Sequence, residues 1–118
     1  LIVLICGDRN WTDYKMIEDF IVTLPKGTKI IEGDCKGVDQ LSGFIGKKHG
    51  YEVIVVPAEW EKYGKKAGPI RNQKMLDMKP DFVVAFHNDI EHSKGTKNMI
   101  DLAIEERVYV ELRSNKQK

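Results

Sequence analysis

The segment Ala67-Gly68-Pro69-Ile70-Arg71-Asn72, just after Trp60 and Tyr63-Gly64, carries side chains suited to gripping an anion. Gly68 permits a turn that other residues resist, Pro69 suits the first position of a helix, and Arg71 then projects from that helix's first turn. A helix N-terminus offers free N–H groups and partial positive charge, so phosphate or carboxylate is its natural guest, and Arg71 adds a planar cationic fork. An ordinary loop-to-helix junction with a solvated arginine reads the same way on this segment alone. The case therefore depends on what falls at matching places elsewhere.

Three other polar segments do so: Gly7-Asp8-Arg9-Asn10-Trp11, Gly33-Asp34-Cys35-Lys36-Gly37-Val38-Asp39, and His87-Asn88 with Ser93-Lys94-Gly95-Thr96. In the last, Gly95 lets backbone approach a ligand and Thr96 can cap the helix that follows, as either a phosphate cradle or a plain helix start. Gly33 to Gly37 is not a Walker loop, because Val38-Asp39 stands where a lysine and a hydroxyl residue are required. A dinucleotide fingerprint fails too, since Gly7 is followed by Asp8 and Arg9. Trp60 and Tyr63, in an otherwise hydrophilic stretch, either stack on a base or close the edge of the core, and Trp11 has the same two readings. Asp8, Asp34 and Asp39 have the chemistry of general acids or bases, but carboxylates more often cap helices and orient arginines. No His or Cys falls at metal-ligand spacing, so neither a metal nor a cofactor is expected. Gly43 and Gly46 read as points of close helix packing.

The elements that must hold these segments follow from periodicity. Apolar, β-rich runs at Leu1–Cys6, Thr28–Glu32, Tyr51–Pro57, Asp81–Phe86 and Val108–Leu112 alternate with helical stripes: Ile17, Phe20, Ile21 and Leu24; Val38, Leu41 and Ile45; Met99, Ile100, Ala103 and Ile104. Alternating strands and helices give a parallel sheet, and continuous apolar strands need helices over both faces. The expected fold is α/β, a single Rossmann-like doubly wound domain with a five-stranded parallel sheet covered on both faces. In such a fold ligands bind beyond the carboxyl ends of the strands, where all four polar segments fall.

At 118 residues the chain makes one domain, expected to occupy residues 1–112, with 113–118 a disordered basic tail. Hydrophobic content of 42% and charged content of 31% read as a water-soluble chain, no run is long enough to span a membrane, and two thiols without metal spacing point to the cytoplasm. A net charge of +1 argues against a main partner as polyanionic as nucleic acid.

Taken in order, Gly7-Asp8-Arg9 with Trp11 and Asp13, Gly33 with Gly37-Val38-Asp39, Trp60-x-x-Tyr63-Gly64-x-x-Ala67-Gly68-Pro69-Ile70-Arg71-Asn72-x-x-Met75, and Gly95-Thr96-x-x-Met99 resemble the YspA/YpsA-related group of the SLOG superfamily. That superfamily includes the Lonely-guy phosphoribohydrolases and the DNA-processing protein DprA. The resemblance implies a nucleotide, an ADP-ribose-like molecule or a cyclic nucleotide at the loop edge. It also implies an absence, because Met99 stands where Lonely-guy enzymes carry the glutamate that takes part in cleaving the N-glycosidic bond, and a thioether transfers no proton. The expectation is a binder that captures, and as a sponge for a defence signal sequesters, its ligand. Its site would be Gly7, Asp8, Arg9, Trp11, Gly33, Lys36, Gly37, Asp39, Trp60, Tyr63, Gly68, Arg71, Asn72, Ser93, Lys94, Gly95 and Thr96. A nucleotide N-glycosidase using Asp8, Asp34 or Asp39 is the alternative, and single-stranded nucleic-acid binding a more distant one. A homo-oligomer, most simply a dimer with Trp11, Trp60 and Tyr63 near its interface, would complete the pocket.

Overall fold

Alternation of β-branched runs with amphipathic stretches yields β1 (Ile2–Gly7), α1 (Tyr14–Ile21), β2 (Lys29–Glu32), α2 (Val38–Lys48), β3 (Glu52–Val55), α3 (Trp60–Tyr63), α4 (Ala67–Asp77), β4 (Phe82–Phe86), α5 (Gly95–Glu105) and β5 (Tyr109–Arg113). Single 3-10 turns at Gly64–Lys66 and Ile90–His92 lead toward α4 and α5. The computed structural model describes residues 1–116, so the end of the expected tail lies outside the described residues. Within that tail, Arg113 closes β5, and Ser114 and Asn115 donate to the Asn88 side-chain oxygen at 2.5 and 3.0 Å.

The strands form one sheet in the order β3-β2-β1-β4-β5, with every pair parallel. Side chains of the central strand alternate between two cores. Val3 and Ile5 face Ile17, Phe20 and Ile21 of α1 and Val38 and Ile45 of α2, whereas Leu4 and Cys6 face Met75 and Leu76 of α4 and Met99 and Ala103 of α5. Each fully buried aliphatic chain of this kind contributes about 1.5–3 kcal/mol, so these two layers carry most of the drive to fold. The chain winds outward from β1 to β3, then returns to lay β4 and β5 on the other side. Strand order therefore reverses between β1 and β4, whose register runs from Val3↔Phe82 to Gly7↔Phe86.

Several local expectations change. The third strand is shorter than Tyr51–Pro57, because as an edge strand it has a partner on one side only and its Val55 is exposed. Ile104 lies outside the α5 stripe and is exposed. Gly68 makes no turn: α4 already begins at Ala67, Gly68 has ordinary helical backbone, and Pro69 stands third in the helix, still within the turn where a missing N–H costs nothing.

Candidate functional site

Two glycines bring the first two loops together at the carboxyl edge. A side chain on Gly7 would place its Cβ 2.2 Å from the Phe86 carbonyl oxygen, so only glycine lets the end of β1 turn away past β4. Gly37 has a φ of 78°, and a Cβ there would stand 2.2 Å from the Asp8 carbonyl oxygen. That carbonyl accepts the N–H groups of both Trp11 and Val38 at 3.2 Å, which fastens the start of α2 to the β1 loop. The Asp8 carboxylate accepts the Asn10 N–H at 2.8 Å, closing a local turn and leaving Arg9 exposed. Trp11 is not a free surface aromatic. It is buried edge-on against Phe86 at 5.8 Å between ring centres, and its indole N–H donates to the Asp13 carbonyl, which also rules it out as an exposed interface residue.

The turn after β2 is held from beneath. Arg71 is 7% exposed and points inward: Nη1 donates to the Gly33 carbonyl at 2.5 Å, Nε to Asn72 Oδ1 at 2.9 Å, and both terminal nitrogens face Cys35 Sγ at 3.7 and 3.8 Å. Among the described residues no ion pair joins this buried guanidinium to a carboxylate. Asp39, also buried, accepts the Cys35 N–H at 3.2 Å. Burial pushes its carboxyl up to about 6, against the pull of the Cys35 N–H and the Arg71 charge. Glu32 is 3% exposed, takes the Asp34 N–H on Oε1 at 2.5 Å, and is pushed by burial to about 7. Its other oxygen faces Gly43, where a Cβ would come within 2.4 Å. Gly43 therefore makes room for a carboxyl group, while Gly46 sits against Ile30 and Val53 of the sheet.

Asn72 joins this arrangement to the last loop. Its Nδ2 donates to the Gly95 carbonyl at 3.3 Å and to Asn98 Oδ1 at 2.9 Å, tying α4 to the first turn of α5. Ser93, rather than Thr96, caps α5: its Oγ accepts the Thr96 N–H at 3.1 Å, and Thr96 itself is buried. Lys94 and Gly95 are exposed, with no atom within 4 Å of where a Gly95 Cβ would stand. Trp60, 56% exposed, reaches over the start of α4, its ring 3.5 Å from a Cβ placed on Gly68. Tyr63 is likewise exposed, beneath Lys62 Nζ at 5.1 Å from the ring centre. One open hollow is lined by Ala58, Glu59, Trp60, Glu61 and Lys62, and another by Trp11, Thr12, Gly37, Gln40 and Leu41. Neither is lined by the Ser93–Thr96 turn.

The sequence-picked residues thus divide. Gly33, Asp39, Arg71, Asn72 and Gly95 are linked by direct hydrogen bonds or close packing; Gly7, Asp8, Trp11 and Gly37 form the adjoining scaffold; Arg9, Lys36, Lys94, Trp60 and Tyr63 stand exposed around them. Glu32 was missed as the last residue of an apolar run. Its signal was present: a charge directly after Ile30-Ile31 and before Gly33, with a glycine, Gly43, on the helix above. Met99 is fully buried beside Cys6, Met75 and Ala103, so its position belongs to the core. Among the described residues no helix is long and apolar enough to cross a membrane, and no group of His, Cys, Asp and Glu is placed to hold a metal ion.

Comparison with known proteins agrees with this architecture. The family model described as the YspA, cpYpsA-related SLOG family matches residues 1–63. The Gene 61 protein of Mycobacterium phage D29 is 30% identical over 105 residues, 81% of this chain and 82% of that protein. The crystal structure of DNA processing protein A (DprA) from Streptococcus pneumoniae superposes with a TM-score of 0.73 over 93% of this chain at 18% identity. This chain spans about half the length of that protein, 49% of it.

Proposed function

The chain belongs to the YspA, cpYpsA-related SLOG family, and from that premise we propose that it binds a nucleotide-derived small molecule at the carboxyl edge of its sheet. One observation carries the reading: Arg71, a buried guanidinium with no ion-paired carboxylate among the described residues, between the β2 loop and the start of α5. A buried guanidinium whose neighbouring carboxyl, Asp39, makes no ion pair with it and is itself pushed by burial toward the neutral form favours an anion arriving from solution. The exposed groups around it suit a phosphate: Arg9, Lys36 and Lys94 supply charge, and Ser93, Gly95 and the helix start supply hydrogen bonds and room. Trp60 or Tyr63 would cover base or ribose, and a second copy of the chain meeting these exposed aromatics would seal the pocket.

Capture without turnover is the preferred form. Asp8 is committed to its own turn, Asp39 lies buried under the Cys35 N–H, and position 99 of α5 is a core methionine that has no proton to give a leaving base. The phage relative supports reading such capture as sequestration of a defence signal.

Isothermal calorimetry with AMP, ADP-ribose, a cyclic dinucleotide and phosphate-free adenosine tests the proposal. Saturable binding of a phosphorylated compound, weakened about 10-fold or more by Lys94→Ala or Arg9→Ala and lost with adenosine, is the expected result. Equal binding of AMP and adenosine would remove the phosphate seat, and release of free base over many turnovers would replace the binder with a hydrolase. Light scattering at micromolar concentration should give at least twice the 13.5 kDa chain mass; a monomer that binds tightly ends the shared-pocket idea.

A further inference from the structure

Three consecutive residues of the β2–α2 turn each give one backbone group to a different buried ionisable side chain. Gly33 C=O accepts from Arg71, the Asp34 N–H donates to Glu32, and the Cys35 N–H donates to Asp39. Asp34 holds a φ of 63°, a left-handed region that strains a side-chain-bearing residue, so the turn relaxes when a grip is released. We propose that the Gly33–Cys35 turn is a proton-operated clasp, closed while at least one of Glu32 and Asp39 is protonated and loosened when both are ionised, and that it thereby tunes the adjoining anion site. The tuning rests on the ligand reading above; the clasp does not.

The geometry explains the direction. Glu32 is closed in by the turn and by Gly43, with the Asp34 N–H as its one described hydrogen-bond donor, so an ionised carboxylate there lacks the several donors it needs. The charged and titratable groups facing the pair are Asp34 and Cys35 from the turn, Lys47 from α2, Arg71 from α4 and the Cys6 thiol from β1. Burial opposes ionisation and outweighs the rest: the gripping Asp34 and Cys35 N–H groups, with Lys47 and Arg71, favour it, while Asp34 and the mutual repulsion of the pair add to the burial. Burial also pushes the Cys6 thiol far up, so it stays neutral throughout. Both carboxyl groups titrate above their ordinary range. The closed form therefore has its full advantage in acid, below that range, and loses it as pH rises through about 6 and about 7. An anion beside Arg71 makes ionisation harder still, so its binding takes up protons and weakens above neutrality.

Amide exchange in the ligand-free protein, followed by NMR and corrected for intrinsic rates, tests the clasp. Between about pH 5.5 and about pH 8.5 the protection of Asp34 and Cys35 should fall at least 10-fold relative to Leu4 and Ile5, and Glu32→Gln should flatten that fall. Unchanged protection, or an unchanged fall in Glu32→Gln, overturns the clasp. Should that variant fail to fold, the Glu32 side-chain carbon shift in the wild-type chain decides: a midpoint near 7, tracked by the Asp34 amide, supports it, and a midpoint in the ordinary carboxyl range overturns it. AMP calorimetry in two buffers of different ionisation enthalpy then reads proton uptake. Binding without uptake overturns the tuning alone, whereas failure of AMP to bind, with the exchange result intact, counts against the ligand reading and not the clasp.

Discussion

The turn after β2 and the turn after β4 both lie on the carboxyl edge of one sheet, yet Arg71, Glu32 and Asp39 fasten the first from beneath, while the second is gripped from beneath only where Asn72 meets its end at Gly95 and is otherwise fastened by polar groups nearer the surface. Between Phe86 and Gly95 the chain is held by the Asp89 N–H donating to His87 Nδ1, by an exposed His92–Asp89 pair at 2.8 Å, and by Ser93 at the helix start. An exposed pair of that kind contributes little, because water and salt screen it and both side chains lose freedom in making it. Buried groups left without their partners, by contrast, cost their whole desolvation penalty. A binding edge needs both kinds of wall: one fixes where the charge sits, and the other leaves donors and cations open to a guest.

Breaking the buried wall should have the largest effect. Arg71→Ala leaves the Gly33 carbonyl and the Asn72 side-chain oxygen without their donor and opens a cavity, at a cost of about 3 kcal/mol or more in urea unfolding. Arg71→Lys should recover only part, since an ammonium cannot reach carbonyl, amide and thiol in one plane. A loss below about 1 kcal/mol in Arg71→Ala would mean that the turn after β2 is no better anchored than the turn after β4.

The exposed wall offers the milder counterpart. Ser93→Ala removes the acceptor of the Thr96 N–H and should cost about 1 kcal/mol, read as a modest drop in the thermal midpoint. If Thr96 were the cap, that change would be silent and the Thr96 variant would carry the cost instead.

The layout of strands and helices was legible because a central parallel strand needs apolar residues on both faces, and Leu1–Cys6 and, after Asp81, Phe82–Phe86 supply them without interruption. The loops were legible as places rather than as structures. Arg71 looked like an outward fork because spacing fixes where a side chain starts and not where it points; a carbonyl and a thiol from a loop 36–38 residues earlier drew it inward. Trp11 was ambiguous for a related reason, since only the fold shows that Phe86 lies beside it. Glu32 was hidden by the run it ends, and its burial depends on Gly43, a helix residue distant in sequence. Where the decisive partner is local the residues announced the structure, and where it is brought in by the sheet they did not.

The smallest effect gives the sharpest test of the comparison, because it separates stability from binding at one residue. Gly95 opens α5 with ordinary backbone and nothing within 4 Å of a would-be Cβ, so alanine fits there without strain. By helix propensity alone Gly95→Ala should raise stability by about 0.5 kcal/mol, a shift at the edge of detection in urea unfolding. If a phosphate sits against the backbone at this turn, the same methyl group occupies its approach, and the affinity for AMP should drop about 10-fold while the fold is untouched or improved. Affinity and stability moving in opposite directions would mark the turn after β4 as the open wall that meets the ligand. Unchanged affinity for AMP in a protein that still binds it would leave Gly95 as a plain helix start and shift the phosphate toward Arg9 and Lys36, against the clasped turn.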